Sequence, residues 1–143
     1  MPFYKSIDYK TIEGKRTAEG LLRLKKELDA SIPPKSMDKT LLLATWNIRE
    51  FGGTKYGGRE REPLFYLAEI ISRFDLVAVE EVRDNLDALD SLMYILGPWW
   101  KYLVSDVTLG VQGNQERLAF IYDTHKLLLW RFGGRIAAPG EKR

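Results

Sequence analysis

The chain has 143 residues, 45% of them hydrophobic and 12% aromatic, which suits one folded domain and excludes disorder over most of its length. It has no cysteine, which excludes a disulfide scaffold, a thiolate metal site and a cysteine nucleophile. The net charge of +2 is uneven: residues 1–39 carry +3, residues 40–123 carry −5 and residues 124–143 carry +4. The acidic middle lacks the broad basic footprint of a nucleic-acid binder. It suits a site that attracts phosphate only after a cation has bound.

Residues 1–16 are polar and irregular. Thr17 is placed to cap a helix running to about Ala30, with Leu21, Leu24 and Leu28 at helical spacing. Ile32-Pro33-Pro34 ends it. Residues 1–39 therefore read as a helical lead-in. Thr40 to Ile48 reads as a buried strand, followed by a glycine-rich loop at Phe51-Gly52-Gly53 and Gly57-Gly58. Pro63 opens a second helix with Leu64, Leu67, Ile71 and Phe74 on one face.

Asp75 to Val79 is a nearly continuous apolar strand, the kind covered on both faces. Leu86, Leu89, Met93 and Leu96 predict a third helix, ended by Gly97-Pro98. Trp100 to Val107, Arg117 to Tyr122 and Leu127 to Phe132 predict three further strands, with a turn over Leu109 to Gly113. Residues 133–143 are a Gly/Pro-rich basic tail with no further element. The order is an α/β pattern with strands packed between helices.

Two polar clusters stand at the ends of apolar runs. Leu41-Leu42-Leu43-Ala44 leads into Thr45-Trp46-Asn47-Ile48-Arg49, and Leu76-Val77-Ala78-Val79 leads into Glu80-Glu81-Val82-Arg83-Asp84. On adjacent strands these would gather an amide, a carboxylate and two guanidinium groups at one rim of a sheet. A carboxylate at the end of a buried strand is costly unless a cation or donor meets it, so Glu81 is the sharpest candidate. Strand alternation lets only one of Glu80 and Glu81 point into a given site. Oxygen ligands favour a hard cation, Mg²⁺ before Zn²⁺. The alternative for Glu81 is a solvated acidic turn capping the next helix.

Asn47 could hold a phosphate oxygen or a water on the metal, or could instead bond its own backbone in a turn. Arg49 and Arg83 could clamp phosphate, or form surface salt bridges with Glu50 and Asp84. Glu116 could orient a catalytic histidine or lie exposed. His125 is the only histidine. In Tyr122-Asp123-Thr124-His125 it sits beyond a strand end, which makes it a surface residue and not the base. There is no G-x-x-x-x-G-K-[ST] loop and no G-x-G-x-x-G loop.

Taken in order, three motifs resemble the endonuclease/exonuclease/phosphatase superfamily, in its deoxyribonuclease-I-like branch. Thr45-Trp46-Asn47-Ile48-Arg49-Glu50-Phe51-Gly52 is similar to the first-strand motif. Asp75 through Asp84 is similar to the second, where Gln is commonest at the position of Glu80. Asn114-Gln115-Glu116-Arg117-Leu118-Ala119-Phe120-Ile121-Tyr122 is similar to the third, in which a Glu-Arg pair precedes a strand. The resemblance covers residues 41 to about 132. It implies a four-layer αββα sandwich, of which this chain holds the N-terminal half, and Mg²⁺-dependent phosphodiester or phosphomonoester hydrolysis, with Mn²⁺ or Ca²⁺ as substitutes.

By the same resemblance, Glu81 is the metal-binding carboxylate, aided by Asn47 at the scissile phosphate. Glu116 orients the catalytic histidine, and Arg49 and Arg83 contact substrate. Val82-Arg83-Asp84 favours DNA as the phosphate-ester partner. One departure is Asn114, where the branch's nuclease has an aromatic residue. The greater departure is the absence of the later histidine, Asp-x-Asn and Asp-His motifs.

The chain is therefore expected to be a fragment, inactive alone, of a DNA endonuclease. The alternatives are a degenerate non-catalytic interaction module, or a phosphatase acting on inositol phosphates or phospholipid head groups. A half sandwich would leave one sheet face uncovered and open to self-association. The N-terminus opens no apolar run of signal-peptide length and no segment approaches a membrane span, so a soluble, cytoplasmic protein is expected.

Overall fold

The computed structural model describes residues 1–51, 61–82, 86–105, 117–129 and 136–137. Within these, the side chains of Arg49, Glu50, Phe51, Glu81, Arg117, Leu128, Leu129, Ile136 and Ala137 lie outside the description. The elements in chain order are α1 (Ile12–Ser31), β1 (Leu43–Phe51), α2 (Arg61–Ile71), β2 (Leu76–Val82), α3 (Asp87–Leu96), β3 (Trp100–Val104), β4 (Arg117–Asp123), β5 (Leu128–Leu129) and β6 (Ile136–Ala137).

Helix α1 starts earlier than its apolar spacing suggests. Thr11 is the N-cap, and its hydroxyl accepts from the Gly14 amide at 3.0 Å. Thr17 is instead buried in mid-helix and donates to the Glu13 carbonyl at 2.9 Å. Helix α2 stops at Ile71. Phe74 follows in a turn and still packs against the core. Helix α3 ends at Gly97, whose φ of 100° is open to glycine and strained for other residues.

Strands β1 to β4 form one mixed sheet in the order β1-β2-β4-β3. β1 and β2 are parallel, and β4 is antiparallel to both β2 and β3. Parallel neighbours need a crossover, and α2 supplies it between β1 and β2. Helix α1 packs on α2, and α2 packs on α3.

One sheet face meets these helices. Trp46 and Ile48 of β1, Val77, Val79 and Val82 of β2, and Ala119 and Ile121 of β4 share a core with Leu64, Ile71, Leu89 and Leu92. The other face is only partly covered. Leu76 and Tyr122 are buried there with Leu127. Leu43 and Leu103 remain 59% and 50% exposed. This is an α/β fold with helices on one side of a mixed sheet, consistent with part of a sandwich.

Two expectations about the later elements need correction or limit. Ile136–Ala137 pairs antiparallel with Leu128–Leu129, so the tail does contain an element. Main-chain pairing does this without the apolar periodicity that would announce a strand. The glycine-rich loop and the Leu109 to Gly113 turn lie outside the described residues. Among the described residues, no helix is long and apolar enough to cross a membrane.

Candidate functional site

The two clusters do meet. Asn47 of β1 is the register partner of Glu80 on β2, so both polar clusters lie at the same end of adjacent parallel strands. β1 continues to Phe51, so Asn47 lies inside a strand and not in a turn. Residues 44, 46 and 48 alternate inward, and Asn47 is exposed on the half-covered face. Glu80 is exposed as well. Arg49 and Glu81 have their backbones in β1 and β2. Arg83 and Glu116 lie outside the described residues.

The ladder is irregular at this point. On β2, Val79 pairs with Ala119 and Val82 pairs with Arg117, so β2 carries one extra residue. The β1–β2 register shifts over the same stretch, between Asn47 and Phe51. Val79 and Val82, three positions apart, are both fully buried in the helix-side core. Strict alternation forbids that, and a β-bulge at Glu80-Glu81 permits it. The expectation that alternation sorts Glu80 from Glu81 therefore does not hold through this stretch. A bulge is a common device for re-aiming side chains at a strand end.

The donor chemistry suits a hard cation. Asn47 and the two adjacent glutamates offer oxygen ligands, and Mg²⁺ usually takes one or two carboxylates and keeps several waters. Among the described residues, no group of three or more His, Asp or Glu side chains gathers as a ready-made metal cage.

The other end of the sheet holds a second polar cluster. Asp75 is fully buried at the start of β2. Its Oδ2 accepts from the Leu42 amide at 2.8 Å and from Lys126 Nζ at 2.7 Å. Lys126 Nζ also donates to the Thr40 carbonyl. Lys35 Nζ donates to Asp123 Oδ2 at 2.7 Å and to the Phe74 carbonyl at 3.0 Å, and lies 3.2 Å from Asp75 Oδ1 as an ion pair. Asp75 Oδ1 receives no aligned hydrogen bond among the described residues.

Burial pushes the Asp123 carboxyl up, but the hydrogen bonds from Lys35 and His125 outweigh it and hold the group below its usual range.

His125 belongs to this cluster. Its Nδ1 lies 2.7 Å from Asp123 Oδ1, and its ring sits 4.7 Å from the Trp99 ring at a tilt of 40°. The histidine is half exposed, as expected of a surface residue, and it pairs with Asp123. The pair forms at the opposite end of the sheet from Asn47. Asp123 lies beside the start of β2, since Tyr122 pairs with Leu76. The run from Leu76 to Glu81 spans ~16 Å at about 3.3 Å per residue. A general base must reach its proton directly or through one water.

Asp75 and Lys126 are not marked as functional candidates by the sequence. An isolated acid before an apolar run was the only visible signal for the first. Nothing in the periodicity marks the second.

No family model matches the chain. Curated proteins do. The chain is 36% identical over 88 residues to deoxyribonuclease-1 of Rattus norvegicus and of Homo sapiens, covering 58% of this chain and 30% of each relative. It is 33% identical over 93 residues to deoxyribonuclease-1 of Bos taurus, covering 62% of this chain and 32% of that protein. The chain thus spans about a third of the length of these relatives. Over the matched stretch it is similar to deoxyribonuclease-1, in keeping with the deoxyribonuclease-I-like resemblance of its three motifs.

Proposed function

We propose that this chain carries the phosphate-and-metal part of a Mg²⁺-dependent phosphodiester hydrolase site whose full form is a DNA endonuclease. The observation that carries the reading is the pairing of Asn47 with Glu80 beside Glu81, at the bulged end of two parallel strands. In this reading Glu81, with Asn47, holds the cation. The cation supplies charge stabilisation on the phosphoryl oxygens when bound. Asn47 positions the scissile phosphate, Arg49 and Arg83 steady the substrate by bidentate donation, and Glu116 orients an incoming histidine. The protein is read as cytoplasmic.

In-line attack also needs a base for the water. The single histidine of the chain is committed to Asp123 at the far end of the sheet. The 143 residues alone are therefore read as inactive, while still able to bind the cation.

Both halves of the proposal can be measured. Mn²⁺ added in place of Mg²⁺ should broaden the amide resonances of Asn47 and Glu80 before those of Asp123 and His125, and Glu81→Ala should abolish that preference. Hydrolysis of a bis-aryl phosphodiester and of plasmid DNA should stay at background with Mg²⁺. Broadening unchanged by Glu81→Ala would remove the metal assignment. Turnover that is lost in Glu81→Ala would show the chain to be active alone.

The half-covered sheet face supports self-association under the same reading, because Leu43 and Leu103 stay half exposed there. Sedimentation velocity should show a weight-average coefficient that rises with concentration. Leu43→Lys/Leu103→Lys should return the chain to a monomer. A monomer at every concentration would refute association through this face.

A further inference from the structure

The first eleven residues form a strap whose start, from Phe3 to Ser6, lies over the corner where α3 ends and β3 begins. The Phe3 amide donates to the Ile95 carbonyl at 2.6 Å. A Cβ at Gly97 would lie 2.4 Å from the Phe3 ring, so glycine is what lets the ring approach so closely. Between strap and corner lies an open groove of about 640 Å³. That is within the range of small-molecule sites. It lies at the Asp123 end of the sheet, because Trp100 pairs with Asp123, and so away from Asn47 and Glu80.

Its walls carry three kinds of chemistry. Phe3 and Tyr94 supply exposed aromatic surface, and the buried Trp100, with Lys35 over its ring, closes the floor. Tyr94 is 77% exposed, so its ring is open to a ligand in the groove. Lys5 and Lys101 line the same groove and have no carboxylate partner among the described residues. Asp90 faces it too. One of its carboxylate oxygens accepts from the Tyr102 hydroxyl at 3.0 Å, and the other makes no hydrogen bond among the described residues.

We propose that this groove binds a nucleotide-class ligand, a planar heteroaromatic ring with an amino donor joined to a phosphate. The aromatic walls stack the ring, as aromatic side chains do with bases in general. The unused Asp90 oxygen accepts from the ring's amino group. Lys5 and Lys101 meet the phosphate as point charges. Two ammonium groups against one carboxylate leave the groove cationic, which favours the phosphate over a neutral ring. The assignment stands on these residues alone and does not rest on the hydrolase reading.

Calorimetric titration with deoxyadenosine 5′-monophosphate in EDTA tests it. Saturable one-to-one binding is expected, with Kd of about 1 mM or tighter. Lys5→Ala/Lys101→Ala should weaken it by about tenfold or more. Both lysines are exposed, so the variant should keep its fold, and each single variant repeats the test should the pair fail to fold. Deoxyadenosine and inorganic phosphate should each bind more weakly than the nucleotide. Three results would overturn the proposal: no saturation, an affinity indifferent to both lysines, or phosphate alone binding as tightly as the nucleotide. Because EDTA removes divalent cations, the result is independent of whether Glu81 holds a metal.

Discussion

Asp75→Ala should destabilise the protein by about 3–5 kcal/mol, the cost of breaking a buried ion pair by deleting one partner. The wild-type carboxylate is fully buried and takes hydrogen bonds from Lys126 and from the Leu42 amide. Its removal leaves the 6% exposed Lys126 ammonium facing a cavity, with only the Thr40 carbonyl to meet it. Lys35 loses one of its two carboxylates and keeps Asp123.

Thermal denaturation should shift down by roughly 10–20 °C. Asp75→Leu/Lys126→Met should recover much of that loss, since an apolar pair avoids the desolvation of both charges. A single variant that melts within about 1 kcal/mol of the parent would refute this account of the network.

Acid should attack the same cluster from the Asp123 side. The folded carboxyl titrates below its ordinary value, so its stabilising contribution is complete above the usual carboxylate range. It is lost as pH falls through the lowered value.

The consequence reaches the candidate site through register. The Asp75 amide donates to the Leu42 carbonyl at 2.8 Å while the Asp75 side chain accepts from the Leu42 amide. Asp75 thus grips both backbone groups of Leu42 immediately before β1 begins. That grip fixes where β1 starts against β2, with Leu43 opposite Leu76 and, four residues on, Asn47 opposite Glu80. A one-residue slip would turn Trp46 and Ile48 out of the core and Asn47 into it. The charged cluster at one end of the sheet therefore helps to set the geometry at the other.

The sequence carried the helices and the main strands because their signals are local. Leu64 and Leu67, and Leu89 and Met93, repeat at helical spacing, and Leu76 to Val79 is an unbroken apolar run. The two strand-end clusters were legible for the same reason, and their adjacency followed from the parallel pairing of β1 and β2. The bulge was not legible. Whether alternation survives Glu80-Glu81 depends on how Arg117 pairs across the ladder, and no local pattern encodes that. The Asp75 cluster was hidden similarly, since Lys35, Asp75 and Lys126 are far apart in sequence and meet only once the sheet is built. The strap and its groove escaped because residues 1–11 have no periodicity, and their order comes from single contacts such as Phe3 against Gly97.

Glu69→Ala should be the second large perturbation, and a more local one. Glu69 sits on the buried face of α2 with 2% exposure. It accepts from the Tyr4 hydroxyl, and Arg73 donates to its Oε1 from Nε at 3.2 Å and Nη2 at 2.8 Å. Lys25 of α1 stands 4.0 Å from its other oxygen and 4.7 Å over the Tyr4 ring.

One carboxylate thus joins the strap, α1 and α2. Burial and the neighbouring carboxylate push the Tyr4 phenol well up, so it stays a neutral donor. Deleting Glu69 leaves Arg73 a quarter exposed and still paired with Asp29, so it can turn to solvent. Tyr4 has no such escape while the strap stays docked.

The expected cost is about 3 kcal/mol, the low end for a broken buried pair. Amide exchange should speed up first over residues 3–11 and the start of α1, before β2 and β4 respond. The groove should weaken with the strap, because Phe3 and Lys5 are part of it. Uniform acceleration across the sheet would mean that Glu69 holds the whole domain together. Unchanged exchange over the strap would mean that Phe3 against Gly97 is sufficient to hold it.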